Sequence, residues 1–189
     1  MNRSENPLVA ALRTIVRWLD NEKIDYMVFG GIANSIYGNP RQTFDIDVKI
    51  ILEPQTVSTP FIKAIQRIAE ILPADPAAFL AETHVLPVRV GGVPVDIVLA
   101  ELSYETDAIR RALTLEYAGI AFRVCTPEDL IIQKAVSERR KDWDDIEIII
   151  QRQSANLDRD YLLKHCRDLS DFLERPDIFN RVQSLLNEA

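Results

Sequence analysis

Cysteine is nearly absent from this sequence: 189 residues contain two, Cys125 and Cys166. Neither fits a metal-ligand spacing or a paired redox motif, which excludes a disulfide framework and a thiolate metal site. Both read as reduced thiols, buried or half-buried, in keeping with the cytoplasm. Long apolar runs are lacking too. None approaches the roughly 20 residues of a spanning helix, and the stretch Met1 to Asn6 is polar rather than signal-like. Neither a membrane partner nor secretion is expected. Positive charge is not in excess: 22 Lys and Arg against 29 Asp and Glu give a net −7. That argues against broad, nonspecific nucleic-acid binding, though not against a local basic patch. There is no Gly/Ser-rich linker, internal repeat or low-complexity run. His84 and His165 belong to no motif. Ser35 and Ser137 have no histidine at a recognisable spacing, so no serine-nucleophile site is expected.

What is present is an ordinary globular balance, 47% hydrophobic and 27% charged. Asn6-Pro7 opens an amphipathic helix over 7–23 on Leu8, Leu12, Ile15, Val16 and Leu19. A short strand, 26–29, ends at Gly30-Gly31. A helix over 32–37 is stopped by Gly38 and Pro40, and a strand over 43–52 ends at Glu53-Pro54. Phe61, Ile62, Ile65, Ile68, Ala69 and Leu72 share helical spacing, and a further helix spans 75–82. Two apolar runs, 84–90 and 93–99, flank Gly91-Gly92 as a hairpin. A helix over 104–112 and a small hairpin around Gly119 follow. From Thr126 onward the pattern is helical only. The fold class is therefore α+β: a mixed half, 1–125, followed by a C-terminal helical region, 126–189, expected to pack on it.

One stretch concentrates chemistry. Asp45 and Asp47 are two apart on a predicted strand, so they share a face, while Phe44, Ile46 and Val48 point the other way into a core. Like carboxylates fixed side by side repel unless a cation lies between them. Asp96, isolated among Pro94, Val95, Ile97 and Val98, needs a partner if buried. If its strand lies beside the first, three carboxylates converge in a set suited to two Mg²⁺ ions. Gly30 and Gly31 sit where a strand gives way to a helix, so backbone N–H groups there can face an anion.

The ordered set Phe29-Gly30-Gly31, Asp45-Ile46-Asp47 and Val95-Asp96-Ile97 resembles the nucleotidyltransferase superfamily with the polymerase-β-like fold. Together with Tyr37-Gly38-Asn39-Pro40-Arg41-Gln42-Thr43, it looks most like the AbiEii-type toxin nucleotidyltransferases and their uncharacterised relatives. The run Thr126-Pro127-Glu128-Asp129-Leu130-Ile131, with Lys134 and then Arg140-Lys141-Asp142 and Asp145-Ile146, is similar to that group's later motifs. The resemblance covers about residues 25 to 150. It implies the nucleotidyltransferase fold, a small mixed sheet with flanking helices, and transfer of a nucleoside monophosphate from an NTP with release of pyrophosphate. Asp45, Asp47 and Asp96 would hold Mg²⁺, with Asp96 also helping to deprotonate the acceptor. Gly30, Gly31, Arg41 and Lys134 would bind the triphosphate, and Asp145 (or Asp142) would complete the site. The acceptor implied is an RNA, tRNA among them, or a protein, with a toxin role and a cognate antitoxin as partner. Two alternatives stay open: a small-molecule acceptor such as an antibiotic, and a non-catalytic nucleotide-binding relative.

Overall fold

The computed structural model describes residues 6–52 and 59–189. The Met1 to Glu5 part of the polar N-terminus and the strand stop at Glu53-Pro54 lie outside the described residues. Among the described residues the elements follow in the order α1 Pro7–Glu22, β1 Tyr26–Phe29, α2 Gly30–Tyr37, β2 Ile46–Ile50, α3 Thr59–Ile65, β3 Glu70–Ile71, α4 Pro76–Thr83, β4 Val85–Val90, β5 Val93–Leu99, α5 Ser103–Arg111, β6 Leu113–Tyr117, β7 Ile120–Val124, α6 Pro127–Ala135, α7 Arg140–Gln153, α8 Arg159–Phe172 and α9 Pro176–Glu188. No helix among the described residues is long and apolar enough to cross a membrane.

The chain divides into two compact units, one of Met1–Ile32 with Gln42–Val124 and one of Ala33–Arg41 with Cys125–Ala189. The first holds a seven-stranded mixed sheet in the order β3-β4-β5-β2-β1-β7-β6. β2 runs parallel to β5 and antiparallel to β1, and β1 runs parallel to β7. β5 shows the clean alternation of a strand with one apolar face: Val93, Val95, Ile97 and Leu99 are buried, and Pro94, Asp96 and Val98 are not. α1 packs on β4 and β5. Asn6 caps it by accepting the Leu8 N–H, and Leu12, Ile15, Val16 and Leu19 go into the core as their spacing predicts.

The second unit is helical. Thr126 caps α6 by accepting the Asp129 N–H, and Pro127 occupies the first turn, where a missing N–H costs nothing. Asp158 caps α8 in the same way through Tyr161. Within this unit the turn after α2 is tied to α7: Arg152 donates to the Gly38 carbonyl and Gln153 to that of Tyr37. Cys125 and Cys166 are buried thiols, not joined in a disulfide, and burial pushes the Cys166 thiol up to about 12.

Three expectations need correction. The helix on Phe61 to Leu72 stops at Ile65, because Glu70 and Ile71 pair with Arg89 and Val88 of β4. The ladder takes over from helical spacing that continues only by coincidence, and Leu72 is left exposed. The strand of the aspartate pair begins at Ile46 rather than Thr43, so Asp45 stands just before it. Phe44 is therefore not in the core. It lies outside the ladder, where period-two alternation has no hold, and 70% of its surface is exposed.

Candidate active site

In the sheet unit, β2 and β5 are neighbours, and Asp47 stands directly opposite Asp96. Register partners in a ladder project to the same face, so these two carboxylates are adjacent. Asp45 reaches the same neighbourhood. The Asp96 carboxyl is pushed up from its ordinary value, first by burial and then by the charge of Asp45. Thr43 Oγ1 donates to Asp45 Oδ1 at 2.6 Å, which turns that side chain at the start of β2.

The glycine pair abuts this cluster. Gly30 has φ +61, and a Cβ there would overlap Oδ2 of Asp47. Gly31 donates its N–H to the same Oδ2 at 3.4 Å, and a Cβ on it would collide with the Thr43 hydroxyl. The opening turn of α2 and the aspartate pair are thus fitted to one another, and only glycine leaves room.

The sequence reading missed Lys49. It lies two residues beyond Asp47 and so on the same face, yet it is buried, with its Nζ 5.5 Å from the centre of the Phe29 ring. Its ammonium pairs with Glu105 on α5. Burial opposes the Glu105 charge. The Lys49 ammonium and the N–H groups of Leu102 and Glu101 outweigh it and hold this carboxyl below the ordinary carboxylate range. The signal was available: Asp47 and Lys49 are two apart on β2 and so follow strand alternation.

In the helical unit the other candidates meet one another. Lys134 on α6 is buried and donates to Asp142 at 2.8 Å and to Asp145 at 2.7 Å, both on α7. Arg41 bonds Asp145 at 3.2 Å, and Arg139 bonds Asp142 at 2.7 Å with Ser137 beside it at 2.8 Å. Burial alone would raise Asp142. The hydrogen bonds from Lys134, Ser137 and Arg139, with the Lys134 charge, hold it below the ordinary range instead. Arg139, the residue just before α7, is thus the guanidinium that faces Asp142. Trp143 is buried, with the Arg181 guanidinium stacked 3.7 Å from its ring centre.

Among the described residues, no three Asp, Glu, His or Cys side chains are gathered closely enough to hold a metal unaided. The chemistry of Asp45, Asp47 and Asp96 still fits a hard cation. All donors are oxygens, and a positive charge among them would offset the burial and the Asp45 repulsion that together raise Asp96.

The model of the family described as nucleotidyl transferase of unknown function (DUF2204) matches residues 8–184. This chain belongs to that family. The nucleotidyl transferase also shares its fold with solved structures. An antigenic nucleotidyltransferase-like protein from Paracoccidioides brasiliensis is 18% identical, with 95% of this chain and 94% of that chain covered and a TM-score of 0.57. The antibiotic-resistance factor ANT(2'')-Ia, in solution, is 15% identical over 88% of this chain and 95% of its own, with a TM-score of 0.56. Its crystal structure with adenylyl-2''-tobramycin is 16% identical over 77% and 89%, with a TM-score of 0.52. Among curated proteins none matches this sequence.

Proposed function

We propose that this nucleotidyl transferase moves a nucleoside monophosphate from an NTP to a hydroxyl of an RNA, tRNA among them, or of a protein, in the presence of Mg²⁺. The observation that carries the reading is the Asp47–Asp96 register, with Asp45 close enough for its charge to raise Asp96, all beside the Gly30-Gly31 turn. Asp45, Asp47 and Asp96 would hold the ions. Bound Mg²⁺ would neutralise triphosphate charge and favour in-line displacement with departure of pyrophosphate. Asp96 takes the proton of the acceptor hydroxyl. Gly30 and Gly31 leave open backbone for the phosphates to approach.

Arg41 is the phosphate ligand on the helical side of the sequence. Asp145 holds one Nη of its guanidinium, and its other donors have no partner among the described residues. Lys134, already engaged with Asp142 and Asp145, keeps Asp145 in place for that purpose and lends its charge to the nucleotide. A toxin role with a cognate antitoxin, in the cytoplasm, goes with the AbiEii-like motif order. A small-molecule acceptor is the second reading, favoured by the fold held in common with ANT(2'')-Ia over 95% of that chain.

The deciding experiment incubates the protein with each labelled NTP and Mg²⁺, in separate arms with total RNA, lysate protein and an aminoglycoside. Asp45→Ala/Asp47→Ala serves as control. Labelled RNA or protein, with pyrophosphate released only by the wild type, is the expected result. Label confined to the aminoglycoside selects the second reading. NTP binding without pyrophosphate release in any arm overturns the transferase reading.

A further inference from the structure

The two edges of the sheet differ. β3, at one edge, has two residues, short enough to offer a partner almost nothing. β6, at the other, has five, with no proline, lysine or bulge, and among the described residues it pairs on one side only, with β7. Long, regular and unguarded edges are the places where a sheet accepts another strand.

Side-chain alternation sharpens this. On β7, Ile120, Phe122 and Val124 are buried, and their partners on β6 are Tyr117, Leu115 and Leu113. The apolar face therefore continues one strand further and stops uncovered, with Leu113 44% and Tyr117 41% exposed. The opposite face of β6 carries Thr114 and Glu116, both exposed.

The backbone is equally specific. Ala118 and Gly119, at φ 50 and φ 74, form a two-residue hairpin turn with Tyr117 opposite Ile120. In such a hairpin the flanking pair is hydrogen-bonded and the pairs beyond it alternate. Tyr117, Leu115 and Leu113 thus bond to β7, and the peptide groups of Thr114 and Glu116 face outward.

We propose that β6 pairs antiparallel with β6 of a second copy about a two-fold axis at Leu115, continuing the sheet across the dimer. In this register Leu115 meets its own copy, Leu113 meets Tyr117 of the second copy, and Thr114 exchanges both backbone hydrogen bonds with Glu116 of the second copy. Apolar side chains meet apolar ones, a hydroxyl meets the carboxylate, and no like charges face each other. Slipping by two residues in one direction would set Glu116 against Glu116, and in the other would bring Arg111 and Ala112 opposite Tyr117 and Glu116. The sequence of β6 is therefore complementary to itself in one register. A five-residue junction buries little area, so the dimer is weak and depends on concentration.

The test joins sedimentation velocity over a concentration series with site-specific cross-linking of the full chain. The native thiols are buried and do not interfere. Leu115→Cys sets two thiols across a non-hydrogen-bonded pair, where Cα atoms lie about 4.5 Å apart, within reach of a disulfide. Leu113→Cys sets its thiols four residues apart in register. Mild oxidation is expected to cross-link Leu115→Cys at least several-fold more than Leu113→Cys. Thr114→Pro, which removes an outward N–H without touching the bonds to β7, should reduce the dimer fraction at equal concentration. A wild type that stays monomeric throughout overturns the proposal. So does a dimer indifferent to Thr114→Pro, equal cross-linking at the two positions, or growth into larger open assemblies.

Discussion

Aspartate plays opposite parts in the two units. In the sheet unit Asp45, Asp47 and Asp96 lie near one another with one hydroxyl and one peptide N–H as their named donors, and the charge of one raises the proton affinity of another. In the helical unit Asp142 and Asp145 are more deeply buried yet fully matched by Lys134, Arg41, Arg139 and Ser137. Burial does not by itself decide which way a carboxyl is shifted. Asp142 is lowered because the Lys134, Ser137 and Arg139 donors outweigh its burial, whereas Asp96 meets the charge of Asp45 on top of its burial.

Breaking the matched side should have the largest effect. Lys134→Met takes the shared buried ammonium from Asp142 and Asp145, leaving only the more exposed Arg139 and Arg41 as their countercharges, and is expected to lower stability by about 3 kcal/mol, read from urea unfolding. A loss under about 1 kcal/mol would place the network among weak surface pairs. Adding a cation to the sheet-unit cluster comes next. Mg²⁺ at 100 times its Kd should stabilise the wild type by about 2.7 kcal/mol, seen as a rise in Tm. Asp45→Asn/Asp47→Asn should abolish that response while being at least as stable as the wild type without Mg²⁺, because like charges have been removed.

A smaller effect is expected at the turn that joins the glycines to the cluster. Gly30→Ala imposes a Cβ at φ +61 against the Asp47 carboxylate and should cost about 1–3 kcal/mol. Ala at this position with unchanged Tm would mean that the turn readily relaxes. The mildest test is acid. Asp142 has a lowered pKa when folded, so its contribution is complete above the unfolded value of about 3.9. It is lost as pH falls through the folded value. Unfolding free energy of the wild type should therefore fall below pH 4 more steeply than that of Asp142→Asn.

The three acids were legible because strand alternation and isolation among apolar residues are local signals, and the β2·β5 pairing then put Asp47 opposite Asp96. Lys49 went unread although it obeys the same alternation, since a lysine on a strand ordinarily reaches solvent and its partner Glu105 lies 56 residues away. Lys134, Arg41, Asp142 and Asp145 came into view only through the family resemblance of the motifs that carry them. Their engagement with one another depends on α6, α7 and the turn after α2 meeting, which no local spacing encodes. Phe44 shows the converse: a hydrophobic residue in a strand-like run is exposed because the ladder starts two residues later.

The amino-acid sequence by itself determined the helix starts at Asn6, Thr126 and Asp158, the glycine hairpins and the order Gly-Gly, Asp-x-Asp, Asp, because caps, turns and alternation act over a few residues. Only the tertiary structure decided which carboxylates receive a countercharge. Charges separated widely along the chain interact once strands are set in register or helices pack, and each carboxylate's balance of burial and compensation is struck there.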